Sequence, residues 1–135
     1  MSAEKVINAL LNADAGIATL VAGRVYPGTV PLGALMPVLA WNHISSVNKT
    51  MVSLAETDSL IVSRIQITAM AKTYPQVKAL LQAVAHACDQ KRGTIAGINV
   101  SSVIGDATGP DMRDDDATLY MQSADFKVTW TEVRP

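Results

Sequence analysis

Acid–base, nucleophilic or metal chemistry needs titratable side chains within reach of one another, and this chain of 135 residues offers few. Its two histidines are His43 and His86, and its one cysteine is Cys88. His86 and Cys88 stand two residues apart in a segment of helical pattern. Side chains at that spacing point about 200° apart, so they cannot share one ion. His86 reads as a solvated helix position, and Cys88 as a small hydrophobe on the apolar stripe of the same helix. A reactive thiol would need exposure and a cationic neighbour. His43 alternates with Asn42 and Ile44 in a β-prone stretch, without a partner close by in sequence, and Ser45-Ser46 and Ser101-Ser102 have no evident base. No dinucleotide fingerprint, P-loop or nucleophile elbow occurs. The reading is therefore no catalytic residues, no metal ligands and no cofactor.

The most distinctive local feature is acidic. Asp111, Asp114, Asp115 and Asp116, with Arg113 among them, follow the turn-rich approach Gly105-Asp106-Ala107-Thr108-Gly109-Pro110. A calcium loop would alternate its oxygen donors and set a glycine at the sharp turn, with a distal glutamate; this run does not. It reads as a solvated hairpin loop, or as a patch that meets a basic partner.

Composition narrows the class. Eleven Lys+Arg against twelve Asp+Glu leave a net charge of -1, which argues against binding nucleic acid or an acidic membrane by charge alone. With 49% hydrophobic and 17% charged residues, the chain can fill a core, and residues 1–135 read as one domain. A single cysteine excludes an internal disulfide and suits a cytosolic or particle-bound life. Glu4, Asn8, Asn12 and Asp14 interrupt the N-terminus as a secretory signal, and no stretch reaches the ~20 apolar residues of a membrane helix.

The elements that must carry these residues follow from periodicity. Val6, Ile7, Leu10 and Leu11 lay an apolar stripe along an opening helix, with Ser2 as its cap and Glu4 in the first turn. A short second helix through Ile17, Leu20 and Val21 stops at Gly23. After a brief strand at residues 24–26, Pro27, Gly28, Pro31, Gly33 and Pro37 break any regular element, which predicts a long irregular loop of functional interest. Strands are predicted at residues 38–47, 60–71, 98–104 and 119–131, with residues 49–58 as a hairpin arm or loop. A helix at residues 74–90 has Pro75 in its first turn, with Val77, Leu80, Leu81, Val84 and Cys88 on one face. The order helix, strands, helix, strands predicts an α+β fold: a mostly antiparallel sheet with two main helices on one face.

The run Leu20-Val21-Ala22-Gly23-Arg24-Val25-Tyr26-Pro27, then Met36-Pro37-Val38-Leu39 and Thr73-Tyr74-Pro75-Gln76-Val77, resembles the tail-completion, or tail-terminator, proteins of long-tailed bacteriophages and prophages. Many members carry Ile where Val25 stands and Ser where Thr73 stands, both mild differences. The resemblance implies a homo-oligomeric ring, commonly a hexamer, at the head-proximal end of the tail tube. Such a ring stops tube polymerisation and offers a docking surface for the head-completion protein. DNA would pass through without specific binding, no membrane would be involved, and the protein would reside in the virion after assembly in the host cytoplasm. On that reading the loop bearing Pro27, Pro31 and Pro37 and the arm at residues 49–58 would make subunit or tube contacts. The loop of Asp111, Arg113, Asp114, Asp115 and Asp116 would meet a basic surface or screen ring faces, and Arg24 would be structural, pairing near the end of the opening helix. The alternatives are another head–tail joining or minor tail protein, or a small enzyme or ligand-binding domain with its pocket near His43 and the Gly105 to Gly109 segment.

Overall fold

The computed structural model describes residues 2–49, 58–116 and 118–133. In chain order its elements are α1 (Ser2–Ala13), α2 (Ala15–Val21), β1 (Val25–Pro27), β2 (Val38–Asn48), β3 (Asp58–Ala71), α3 (Tyr74–Cys88), β4 (Lys91–Ile95), β5 (Ile98–Thr108), β6 (Met112–Asp114) and β7 (Leu119–Val133). The described strands form one sheet in the order β1-β2-β3-β7-β5-β4, with β6 also on β7. Every pairing is antiparallel except β1 with β2. This is the α+β fold that the periodicity predicts. The arm expected at residues 49–58 lies, apart from its two ends, outside the described residues.

The core sits between the helices and one face of the sheet. Ile65, Ile67, Ala69 and Ala71 of β3 and Phe126, Val128 and Trp130 of β7 turn inward at every second position, as strand geometry requires. Against them pack Val6, Ile7 and Leu11 of α1, Ile17 and Val21 of α2, and Val77, Leu80, Val84, Ala87 and Cys88 of α3. A polar tie joins β7 to β3 on this face: the indole of Trp130 donates to the Ser63 hydroxyl at 3.0 Å. The hydrogen bond lets a large aromatic be buried without leaving its N–H unsatisfied.

Local chemistry sets the boundaries. Asp14, which breaks the apolar pattern, is the N-cap of α2; its carboxylate accepts the Ile17 N–H at 3.0 Å. Ala22 and then Gly23 take left-handed backbone conformations and end that helix. Ser2, expected as the α1 cap, already belongs to the helix. Helix α3 stops at Cys88, two residues short of expectation, because Asp89 is extended and its side chain accepts the Gly105 N–H at 2.9 Å.

Beyond these boundaries the structure adds strand where the sequence reading has none. Residues 91–95 form a strand, β4, joined to β5 through Ala96 and Gly97, both left-handed as in a two-residue hairpin turn. The segment from Gly105 to Thr108, read as turn-rich, continues β5, and a register shift there accommodates Asp106 and Ala107 as a bulge.

Two substitutions separate core from cap. Ile67→Ala, at a fully buried site, is expected to cost about 2–5 kcal/mol in urea unfolding, whereas Asp14→Ala costs about 1 kcal/mol.

Candidate functional site: the loop-bearing end of the sheet

Strand β1 pairs with Leu39, Ala40 and Trp41 of β2 and then leaves the sheet at Pro27. The excursion through residues 28–37 is held at its base. Gly28 N–H donates to the Trp41 carbonyl at 2.8 Å, and Leu39 N–H to the Arg24 carbonyl at 3.1 Å. The Arg24 guanidinium Nε donates to the Pro37 carbonyl, also at 3.1 Å. Arg24 is thus structural, as one reading of the sequence has it, but it clamps the base of the loop instead of pairing near the opening helix. Pro27 and Pro31 are exposed, Pro37 is half-buried, and the tip carries Leu32, 106% exposed, and Leu35, 72% exposed. An apolar tip on a pinned base is a shape for contact. Sequence reading found the loop through its prolines and missed the leucines, whose exposure no periodicity announces.

The acidic run is not the simple solvated hairpin loop that its composition suggests. Met112, Arg113 and Asp114 form β6 and pair with Met121, Tyr120 and Leu119. Asp111 is fastened to α3: it accepts from Tyr74 Oη at 2.9 Å and from Lys78 Nζ at 2.6 Å. Lys78 also donates to Gln122 Oε1, whose Nε2 donates to the Gly109 carbonyl at 2.8 Å. Around this knot, Tyr74 and Tyr120 meet edge to face at 6.0 Å, Lys78 lies 4.8 Å over the Tyr74 ring, and Arg113 lies 5.0 Å over Tyr120. Arg113 also pairs with the exposed Asp115 at 3.2 Å, while Asp114 and Asp116 are exposed beside it. The five residues that sequence grouped together therefore divide: Asp111 and Arg113 hold the segment down, and Asp114, Asp115 and Asp116 face outward.

Register brings the two loops to one end of the molecule. Val38 pairs with Met70, Met70 with Met121, and Met121 with Met112, so a row of four apolar side chains runs across β2, β3, β7 and β6. Met70 and Met121 are half-buried and Met112 is 58% exposed. The row spans about 14 Å, three strand spacings, from the base of the apolar loop to the acidic segment. Methionine is flexible and polarisable, and suits a surface that must adapt to a partner.

The histidines do not build a reaction centre. His43 Nε2 lies 2.7 Å from Ser46 Oγ, so the structure gives both the partner that sequence could not supply. Ser46 Oγ in turn lies 2.7 Å from the hydroxyl of the buried Ser63. Glu4 Oε1 approaches the same Nε2 of His43 at 3.9 Å. In an activated serine the acid orients the imidazole through its other nitrogen, so this is a polar chain tying β2 to β3 and not a triad. The structure sets His43 apart from the Gly105 to Gly109 segment, the two sides of the expected pocket. His43, Ile65, Phe126 and Gly105 lie in one row across four strands, which leaves about 14 Å between its ends. Gly105 instead lines a slot of about 160 Å³ with Leu81, Asp89 and Thr108. His86 is 83% exposed and 3.3 Å from Asp14. Cys88 is fully buried and its thiol is pushed up to about 12 by desolvation, so it is inert. Among the described residues no His, Cys, Asp and Glu cluster fit for a metal occurs.

The Lys78–Asp111 knot sets a pH window. Its hydrogen bond to Lys78 and then that to Tyr74 hold the Asp111 carboxyl below its ordinary value, and the bond to Asp111 raises Lys78. The Asp111 contribution is complete above its unfolded pKa, about 4, and fades as pH falls through its lowered folded value. The Lys78 contribution is complete below about 10.4 and fades as pH rises through its raised one. Hydrogen-exchange protection of residues 109–116, corrected for intrinsic rate, is therefore expected to stay level from about pH 5 to 9 and to fall in acid below about pH 4. Lys78→Ala should remove it at every pH while the exchange of β3 stays unchanged.

Comparison with known proteins places this geometry. The family described as Tail completion protein gp17 matches residues 5–131, nearly the whole chain. No curated protein matches it. Among solved structures, a chain from the virion of a native gene transfer agent particle is similar over 94% of this chain and 92% of that one, with TM-score 0.70 at 19% identity. At that identity the likeness speaks for the fold, an α+β architecture shared with a component of a phage-like particle. The match over residues 5–131 makes the chain a member of the Tail completion protein gp17 family, structural proteins of the phage tail.

Proposed function

We propose that the protein acts by fit and not by bond-making: copies close into a ring, commonly of six, at the head-proximal end of the tail tube. The ring stops further polymerisation and presents its other side to the head-completion protein. DNA crosses the ring without specific binding, in keeping with a net charge of -1. The protein belongs to the virion, and assembly takes place in the host cytoplasm. Closure requires heterologous, head-to-tail contacts between copies, whose rotation completes a circle.

The observation that carries this reading is the pinned loop with Leu32 and Leu35 outside. The exposed leucines sit on a held base, and their loop leads back into Val38, one end of the methionine row. We assign this end of the sheet to the tail tube: the apolar loop of Pro27, Pro31 and Pro37 anchors it, and Asp114, Asp115 and Asp116 steer it onto a basic surface.

Electron microscopy of polymerised tail tubes mixed with the protein tests this. Wild-type protein is expected to cap one end, and the double variant Leu32→Asp/Leu35→Asp to lose capping at least tenfold while its unfolding midpoint holds. Random decoration, or capping that survives in the variant, counts against the assignment. Converting Asp114, Asp115 and Asp116 to Asn should slow capping at low salt and matter little at high salt, since steering between exposed charges is screened.

A further inference from the structure

The two sides of the sheet step in and out at complementary levels. Rows of register partners mark those levels, since antiparallel ladder bonds run across the strands. On the near side, β1 stands outside β2 opposite Leu39 to Trp41 and ends there. On the far side, β4 stands outside β5 opposite Ile98 to Val103, and from Ile104 to Thr108 it covers β5 no longer. The row of His43, Ile65, Phe126 and Gly105 falls where both steps occur. The near side thus projects toward the tube end, where the far side recedes, and the relation reverses toward the other end. At the step on the near side, Ile44 sits in the β2 bulge without a partner on β3 and is 49% exposed. At the step on the far side lies the slot of about 160 Å³ between α3 and β5, lined by Leu81, Ala85, Ala107 and Phe126 and edged by Asp89. Gly105 leaves it open: a Cβ there would stand between the Phe126 ring and the Asp89 carboxylate, 3.7 Å from each. An apolar cavity of about 150 Å³ takes up benzene, and the four-carbon side chain of isoleucine is smaller. Charge matches as well. Lys5 is exposed next to Glu4, which approaches His43 at 3.9 Å, and Asp89 holds the Gly105 N–H at 2.9 Å. Neither Lys5 nor Asp89 is in an ion pair among the described residues.

We propose that neighbouring copies in the ring join here: Ile44 of one copy enters the Gly105 slot of the next, and Lys5 faces Asp89 across the seam. The inference rests on the ring reading above. With the tube at one end of the strands, neighbours meet at the two sides of the sheet. A heterologous contact that closes a ring relates copies by rotation alone, with no rise along the axis. A knob and its hole must therefore lie at one level and on opposite sides of the molecule. Ile44 and the slot meet both conditions, and the stepped sides mesh around them under the same rotation. An apolar anchor seated in a fitted pocket is also where an interface concentrates its binding energy. The contact uses side chains only, so it asks for no strand pairing between β2 and the charged β4 edge of Lys91 and Arg92.

Paired cysteines read the seam directly. Within one chain, Ile44 and Ala107 lie at opposite sides of four strands, about 14 Å across, too far for a disulfide. Every disulfide of the variant Ile44→Cys/Ala107→Cys then joins two copies, since Cys88 is buried. Rings of this variant, alone or capping polymerised tail-tube protein, are expected on oxidation to give a ladder of covalent multimers that ends at the ring number, while either single variant stays monomeric. Rings that remain uncrosslinked, or crosslinks that stop at dimers, overturn the proposal. In parallel, Ile44→Asp should lower ring formation at least tenfold by native mass spectrometry while its urea unfolding midpoint holds; undiminished rings overturn the proposal as well. Wild-type protein that closes into no ring, with or without tubes, removes the ring reading first and this inference with it.

Discussion

Every residue of the 14-residue β3 has a partner on β7, and most of the molecule's arrangement descends from that register. A slip of one residue would turn Ile65 and Ile67 outward and send Arg64 and Gln66 into the core, so the buried face locks the pairing. The same register sets Ser63 within reach of Trp130 and Arg64 beside Asp125, where Nε and the carboxylate are 3.0 Å apart. It also sets Met70 opposite Met121. Through their outer neighbours, that one pair fixes how far the apolar loop lies from the acidic segment.

The two loops are then held by different physics. The first has an apolar tip and is fastened by backbone bonds and the Arg24 guanidinium at its base. The second has charged residues outward and is fastened at the surface, by Tyr74 and Lys78 on Asp111 and by Tyr120 under Arg113. In both, the groups that hold the loop are separate from the groups it displays. That separation lets the displayed side chains differ without unfolding the scaffold, as a contact surface requires.

Much of the fold was legible because its long elements bury one face at a regular period. Ile65 and Ile67, Phe126 to Trp130, and Val77 to Val84 declare their strands and helix directly. The missed strands lack that signal: β4 is mostly polar and edge-facing, and β6 hides inside an acidic run because only its pairing with β7 makes it a strand. The candidate site was half legible. Prolines and aspartates marked both loops, but their approach to one end depends on pairings between residues as distant as Val38 and Met70, which no local pattern records. The division of the acidic run depends on Lys78, whose bond to Asp111 spans 33 residues and leaves no local pattern.

With its thiol buried, its His43 tied into a strand–strand polar chain and one end of its sheet carrying an apolar and an acidic loop, the molecule is organised for contact. Site-directed crosslinking inside assembled particles tests most directly whether the two loops act as one docking surface. Leu35→Cys and Met112→Cys place reactive thiols on the apolar loop and at the β6 end of the methionine row, while the native Cys88 stays silent in the core. The expected result is that both positions crosslink to the tail-tube protein and to the same segment of it. Links from the two positions to different proteins, or none from either in intact particles, would contradict the account.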